Sequence, residues 1–282
     1  MTVGIGCICG QKSKPGAIAL GLDTRVTYIA GTAVVGKHDQ TSKLFSLPIG
    51  FLGIVAGTFY QCERFISYFY DRMAETAKVV PEVQLDHAVN AMTYANHQVR
   101  LRLFENELVS KMGLTRMEWL DRKSNPKLRR AGRWLARQIV PDVYSIVAGF
   151  LRDRPVLLRV CGKDPVEEEQ SHTVIGSGGD FALKKLAFRG QGPYCSIQRT
   201  ALSISEALRF ARRKNRFVGP PAFGVLVLPG KIGKQFDSTA TLLRNWSKST
   251  KKAETPNLDS PEHWKEFEQI LIPLSIASGP PP

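Results

Sequence analysis

The stretch AIALGLDTRVT (residues 17–27) decides how the first part of the chain is organised. Its apolar run ends at Asp23, and an earlier apolar run, Thr2–Cys9, precedes it across a connection that contains glycine and proline. The pattern repeats in KLFSL (43–47) and FLGIVAGT (51–58), which are separated by Pro-Ile-Gly. Short apolar runs bounded by turn residues are typical of strands, so we expect two hairpins here.

Beyond Thr58 the apolar residues follow a helical period, which predicts two helices, one from Phe59 to Met73 and one from Val83 to Leu103. The elements predicted after them are strands at Val143–Phe150, Pro155–Cys161 and His172–Gly176, helices at 177–188 and Ser203–Lys214, and a strand at Ala222–Leu228. This order of antiparallel strands and helix pairs predicts an α+β fold, a four-layer αββα sandwich in which two sheets lie between helix pairs. We expect one domain over residues 1–230 and a partly disordered C-terminal extension over 231–282, where the pattern dissolves.

Composition excludes several classes of protein. The chain has 282 residues, 43% hydrophobic and 23% charged, which is ordinary globular usage and disfavours disorder, collagen and coiled coil for the chain as a whole. No apolar stretch approaches the roughly 20 residues that span a bilayer, and residues 1–14 do not resemble a signal peptide. We therefore expect a cytoplasmic protein without a membrane contact.

The five cysteines are scattered through apolar segments and predict reduced thiols. Cys7-x-Cys9 is not a zinc spacing, and the five histidines form no HxxxH or HExxH pattern. We assign no metal and no cofactor.

Positive charge is concentrated in one segment. Residues 100–137 contain eleven Lys and Arg against four acids, an excess of seven in a chain whose net charge is +14. We predict a basic helical insertion at about 101–140. For this insertion a subunit or regulator contact is favoured over a nucleic-acid surface, because no RNA or DNA module signature accompanies the charge, and a merely solvated helical face also remains open.

Thr2 follows the initiator Met1 directly. Removal of Met1 would leave a threonine whose hydroxyl and α-amine belong to one residue. Because an α-amine has an ordinary pKa of about 7.7 to 8.0, an appreciable fraction of it is neutral near neutral pH and can serve as a base. The start of the chain is therefore a candidate nucleophile with its own base.

The motifs at 17–27, 43–47 and 51–58, together with VIGSGGDFA (174–182), resemble the proteasome β-subunits and the bacterial HslV peptidases, which are N-terminal nucleophile hydrolases. The matches occur in the family's order and cover roughly residues 2–80 and 143–228. The resemblance suggests a bacterial proteasome homologue with the fold of that class. It implies a threonine endopeptidase that cleaves peptides or proteins inside a homo-oligomeric ring, in some cases with a regulator or unfoldase.

Carried over by position, the resemblance makes Thr2 the nucleophile, Lys43 the cation beside it, Asp23 the carboxylate that orients Lys43, and Gly57 the oxyanion donor. A nearby ammonium would lower the pKa of the α-amine. The plain alternatives are a surface lysine, a turn aspartate and a helix-start glycine.

Ser177 resembles the serine that contacts the terminal amine, with a helix N-cap as the alternative. Val26, Val55 and Phe59 would line the pocket for an apolar side chain of the substrate, with core packing as the alternative.

One stretch departs from the family pattern. KNRFVGP (214–220) has Asn215 where the family has an aspartate and Val218 where it has a serine, so neither the carboxylate nor the hydroxyl is present. The departure keeps a weak or inactive structural homologue open, and an amidase of the same mechanism that acts on a small substrate is a further alternative.

Overall fold

The computed structural model describes residues 3–11, 14–23, 25–30, 33–38, 43–122, 125–228, 231–236 and 272–273. Thr2 lies outside these residues, as does most of the predicted C-terminal extension, and only the backbone of Val26 is described. The fold is mixed α+β with two antiparallel sheets. In the described part of the chain no helix is long and apolar enough to cross a bilayer.

The strands are β1 (Gly4–Gln11), β2 (Lys14–Asp23), β3 (Val26–Ala30), β4 (Ala33–His38), β5 (Leu44–Ser46), β6 (Leu52–Gly57), β7 (Val143–Leu151), β8 (Arg154–Cys161), β9 (Glu167–Glu168), β10 (His172–Ile175), β11 (Pro221–Leu228), β12 (Lys231–Phe236) and β13 (Ile272–Pro273). The helices are α1 (Phe59–Val79), α2 (Leu85–Met112), α3 (Arg116–Arg122), α4 (Pro126–Gln138), α5 (Gly179–Phe188) and α6 (Ile197–Lys214), with a 3-10 turn at Pro48–Gly50. One sheet has the order β10-β1-β2-β11-β12-β13 and the other β5-β6-β7-β8-β9, while β3 and β4 form a separate hairpin.

Alternation along the strands buries both faces of each sheet, because successive side chains point to opposite sides. In β2, Ile18, Leu20 and Leu22 face a cluster that also contains Ile54 and Ile146 of the other sheet. The intervening Ala17 and Ala19 pack in a second cluster with residues of α5 and α6. A third cluster joins β6, β7 and β8 to α1 and α2. Each sheet therefore contacts the other sheet on one face and a helix pair on the other, which is compatible with an α+β sandwich.

Several helices have boundaries that differ from those predicted by the sequence patterns; α1, for example, continues to Val79 rather than ending at Met73. Helix α2 continues to Met112, where Gly113 ends it in the left-handed conformation at φ 61°, so the predicted insertion at 101–140 begins inside this helix. Helix α6 begins at Ile197 rather than Ser203, since the Ser196 side chain caps it by accepting from the Arg199 N–H at 3.2 Å. The domain boundary predicted at residue 230 falls between β11 and β12, which pair with each other.

The hairpin of β3 and β4 was not predicted, although Val26–Ala30 is rich in β-branched and aromatic residues. This hairpin had a readable local signal, whereas the end of α2 and the start of α6 depend on capping geometry.

Close packing of α6 on β2 generates a prediction about stability. A Cβ added at Gly21 would lie 2.2 Å from Cγ2 of Ile204, a buried residue of α6. Because overpacking of a core strains it, we expect Gly21→Ala to lower the free energy of unfolding by about 1 to 3 kcal/mol in urea titrations.

The matched control is Gly16→Ala on the same strand, where an added Cβ has no neighbour within 4 Å. It should leave stability unchanged. If both substitutions cost the same, or if Gly21→Ala costs as much in an Ile204→Ala background as alone, the packing explanation is wrong.

Candidate active site

The carboxylate of Asp23 lies at the end of β2 and is fully buried. Its Oδ1 accepts hydrogen bonds from the Val3 N–H at 2.9 Å and from Lys43 Nζ at 3.1 Å. Its Oδ2 accepts from the Gly219 N–H at 2.7 Å. One side chain therefore makes hydrogen bonds to three segments: the residue before β1, the residue before β5 and the loop that precedes β11.

Lys43 precedes β5 and is 9% exposed. Its Nζ also donates to the carbonyl oxygen of Arg25, and its own carbonyl accepts from the Val55 N–H at 3.2 Å. Burial lowers the pKa of Lys43 below its ordinary value of 10.5, and the charge of Asp23 opposes that shift. Neither a surface lysine nor an exposed turn aspartate describes this buried pair.

Arg25, which follows β2, makes hydrogen bonds to the loop before β11. Its guanidinium donates to the carbonyl oxygens of Arg216 at 3.2 Å and Val218 at 3.3 Å. A Cβ at Gly219 would lie 2.5 Å from Cβ of Arg25, so only glycine lets this backbone come close enough for its N–H to reach Asp23. The sequence patterns did not single out Gly219 or the Val3 N–H, because nothing local marks a main-chain donor.

Gly57 ends β6 with φ at +125°, a backbone conformation that favours glycine. An added Cβ would lie 2.0 Å from the carbonyl oxygen of Asp142. The next residue, Thr58, is the N-cap residue of α1. Its N–H donates to the Asp142 carbonyl at 2.9 Å and its hydroxyl to Asp142 Oδ2 at 2.7 Å. Gly57 is thus a glycine at the start of a helix, which was the alternative to its role as oxyanion donor. The two roles are compatible, because one depends on its φ angle and the other on its N–H.

Cys62 lies in the first turn of α1, where its Sγ is 3.5 Å from the carbonyl oxygen of Ala56. Burial raises the pKa of this thiol to about 12; the charge of Asp142 also raises it, and the charge of Lys43 opposes the shift. A thiol with that pKa stays protonated near neutral pH. Cys62 is therefore a packed side chain here and not a thiolate that would compete as nucleophile.

Ser177 is exposed and does not cap α5, since the N-cap residue is Gly178 and no side chain caps the helix there. Its carbonyl oxygen accepts from Asn215 Nδ2 at 2.9 Å, and Asn215 Oδ1 accepts from the Phe217 N–H at 3.0 Å. Val218 is 1% exposed, and its Cγ2 would meet a Cβ at Gly178 at 2.6 Å. The two residues that depart from the family pattern thus hold the loop before β11 against the start of α5.

The predicted substrate-pocket residues do not share one environment. Val55 is 7% exposed and packs in the cluster between its sheet and α1 and α2, whereas Phe59 is 57% exposed. The side chain of Val26 and all of Thr2 lie outside the described residues. Within the described ranges, no cluster of three or more His, Cys, Asp or Glu side chains is arranged to hold a metal ion.

The buried ion pair generates a prediction about stability. Removing one partner leaves the other charge buried without compensation, so Asp23→Asn should lower the free energy of unfolding by about 3 to 5 kcal/mol in urea. Lys43→Met should also destabilise. In the double variant the combined loss should be clearly smaller than the sum of the two single losses.

Glu82→Gln is the control, because Glu82 pairs with Arg152 on the surface and the substitution should barely change the urea midpoint. Strict additivity of the two site substitutions would mean that Asp23 and Lys43 are not energetically coupled.

Comparison with known proteins adds no family to this geometry. No protein-family model matches the chain, and no curated protein matches it significantly. Any family for this chain therefore has to be argued from the order of its sequence motifs and from the contacts of Asp23 and Lys43.

Proposed function

We propose that the chain is a threonine peptidase with the N-terminal nucleophile hydrolase fold, in which Thr2 attacks the substrate after Met1 has been removed. The observation that carries the proposal is the shared oxygen of Asp23, which accepts both the Val3 N–H and Lys43 Nζ. Residue 2 is joined to that same Val3 nitrogen through a C–N bond of about 1.33 Å. The chain thus runs beside a buried ammonium immediately after its candidate nucleophile.

The reaction needs only groups of this site. The Thr2 hydroxyl adds to the peptide carbonyl and its proton passes to the α-amine of Thr2. The α-ammonium so formed then donates its proton to the departing amine, and an ester on Thr2 remains. A water molecule hydrolyses this ester, with the neutral α-amine again acting as the base. Lys43 lowers the pKa of the α-amine and stabilises negative charge on the threonine oxygen, while Asp23 holds Lys43 in place.

Gly57 is the proposed donor to the oxyanion of the tetrahedral intermediate. Its N–H precedes α1, and backbone donors at such positions are fixed before the substrate arrives. Loss of one donor of this kind typically lowers kcat by about 10² to 10³. Because Gly57 needs its positive φ, this role depends on the same backbone turn that starts the helix.

The wider proposal follows from the resemblance to proteasome β-subunits. Copies of the chain would assemble into a ring in the cytoplasm and enclose the site, and peptides or unfolded proteins would be the substrates. Val26, Val55 and Phe59 would select an apolar side chain next to the cleaved bond.

A non-catalytic ring subunit is the second candidate, and the loop before β11 favours it. Both polar groups of the Asn215 amide are engaged, by Ser177 and by Phe217, and Val218 packs in the core. The site therefore has no carboxylate and no hydroxyl at the two positions where the family places them beside the terminal amine.

A peptide epoxyketone separates these candidates, because its two electrophilic carbons react with the hydroxyl and the amine of one N-terminal threonine. We expect intact mass spectrometry to show one adduct per chain, and N-terminal sequencing to begin at Thr2. Thr2→Ala should abolish the adduct and peptide hydrolysis, and Thr76→Ala on α1 should leave both unchanged.

Two results would contradict the peptidase. A chain that retains Met1 has no free α-amine on Thr2 and so lacks the base. A chain that begins at Thr2 and forms no adduct supports the non-catalytic subunit. Adduct formation with turnover of simple amides but not of peptides would instead favour the small-substrate amidase.

The proposed roles also predict a bell-shaped dependence of kcat/KM on pH. Activity should rise as the α-amine loses its proton, with a midpoint below its ordinary pKa of about 7.7 to 8.0, since the Lys43 ammonium favours the neutral amine. It should fall again as Lys43 deprotonates, and this limb should lie below 10.5 because burial lowers the pKa of Lys43.

Lys43→Arg tests the assignment of the alkaline limb, since guanidinium stays protonated throughout the accessible range. The alkaline limb should be absent from the pH profile of kcat/KM that is measured for this variant. An alkaline limb that stays in place would mean that another group causes it.

A further inference from the structure

Helix α4 carries an unusual concentration of uncompensated charge. Its sequence PKLRRAGRWLARQ contains five cations and no acidic residue. All five cations are exposed, namely Lys127, Arg129, Arg130, Arg133 and Arg137. In the ranges that the structure describes, none of them makes an ion pair, whereas Arg102, Lys111 and Arg116 of the same basic insertion pair with glutamates.

The opposite side of α4 fixes the helix to the rest of the protein. Leu135 is 2% exposed and packs with Leu108 of α2 and with Trp119 of α3. The Trp119 ring lies 2.6 Å from the position of a Cβ at Gly132, so glycine is needed for this close approach. Arg100 Nη2 donates to the carbonyl oxygen of Ala136 at 2.8 Å. The cations are therefore displayed on a docked helix.

Helical geometry aligns the charges. Arg130, Arg133 and Arg137 follow one another at intervals of three and four residues, which places them in one stripe about 10 Å long. Trp134 lies four residues after Arg130 beside this stripe and is 58% exposed. Like charges at these spacings destabilise a helix, so the stripe is costly in the isolated chain and favourable only against an anionic partner.

We propose that this stripe, Arg130, Arg133 and Arg137 with Trp134, binds single-stranded nucleic acid. Guanidinium groups form paired hydrogen bonds to phosphate oxygens, and a row of them suits a polymer that carries one charge per nucleotide. An exposed indole beside the row gives an unpaired base a surface on which to stack. Single strands offer both features at once, whereas the bases of a duplex are already stacked.

The arrangement fits an acidic protein less well. Protein interfaces are enriched in arginine, but their fully buried centre is mostly apolar and their charged and polar groups lie in the rim. On α4 the arginines occupy the middle of the exposed face and Trp134 is the one large apolar side chain that α4 exposes there. This nucleic-acid site is independent of the proposed peptidase, because none of its residues contacts the Asp23 carboxylate or Lys43.

The test uses the full chain and a fluorescein-labelled oligouridine of about 20 nucleotides, with binding followed by anisotropy between about 50 and 200 mM salt. Each phosphate contact to a single strand contributes about 0.7 to the slope of log Kd against log salt. The variant Arg130→Ala/Arg133→Ala/Arg137→Ala should reduce that slope by about 2 and raise Kd about tenfold or more at low salt. Trp134→Ala should raise Kd on the order of tenfold, and Trp134→Phe should restore most of the affinity.

Matched controls make the result decisive. Arg212→Ala/Arg213→Ala/Lys214→Ala at the exposed end of α6 removes the same net charge, and it should leave the affinity within about twofold of the parent chain. A double-stranded RNA of equal length should bind more weakly.

Three outcomes would overturn the proposal. One is an equal loss of affinity in the α6 control, which would indicate general attraction by net charge. The second is undiminished binding by the α4 triple variant. The third is competition by poly-glutamate as effective as competition by oligouridine, together with no effect of Trp134→Ala, which would identify an acidic protein as the partner. Circular dichroism of every variant verifies the fold, and the epoxyketone reaction is expected to be unaffected.

Discussion

The buried carboxylate of Asp23 is the constraint on which the geometry of this site depends. Removal of an ionised group from water costs several kcal/mol unless partners compensate it. Here the ammonium of Lys43 and the N–H groups of Val3 and Gly219 supply that compensation. Three segments distant in sequence must therefore reach Asp23 together, and none of them can shift without exposing an unpaired charge.

The need to pair the Asp23 carboxylate also explains why residue 219 is a glycine and why its loop lies so close to Arg25. Gly219 approaches Arg25 so closely that no side chain fits, and this approach brings its N–H to Asp23. Arg25 then closes the strand end onto the loop before β11 through two carbonyl oxygens. Structure and proposed chemistry are coupled here, because burial lowers the pKa of Lys43 while its contact with Asp23 opposes that shift and holds the ammonium in place.

Helices α3 and α4 differ from the Asp23 site in how they pack and in how their charges are paired. They pack on α2 through a small cluster of Leu108, Leu135 and Ile139, separate from the clusters on either side of the two sheets. Within the described chain, α4 presents to solvent a row of arginines that make no ion pair, whereas Arg116 of α3 pairs with Glu105. The protein therefore combines a site built from desolvated, fully paired groups with a surface whose charges remain available to a partner.

Local features of this fold were predictable from sequence, and long-range ones were not. Alternating apolar residues in β1, β2 and β6 and the helical spacing in α1 and α2 are properties of contiguous residues, so the mixed α+β class and the places of these five elements follow from them, although the β3–β4 hairpin was missed. The pairing of Asp23 with Lys43 was expected only from a resemblance, since the two lie 20 positions apart.

Tertiary structure alone decided the rest. The Gly219 N–H reaches Asp23 across 196 positions, and the role of Asn215 as a clamp on Ser177 depends on two loops meeting. A main-chain donor looks the same at every residue of a sequence. Only the folded chain determines which N–H donates to a buried carboxylate. The same holds for which arginines of a basic segment lack an ion pair.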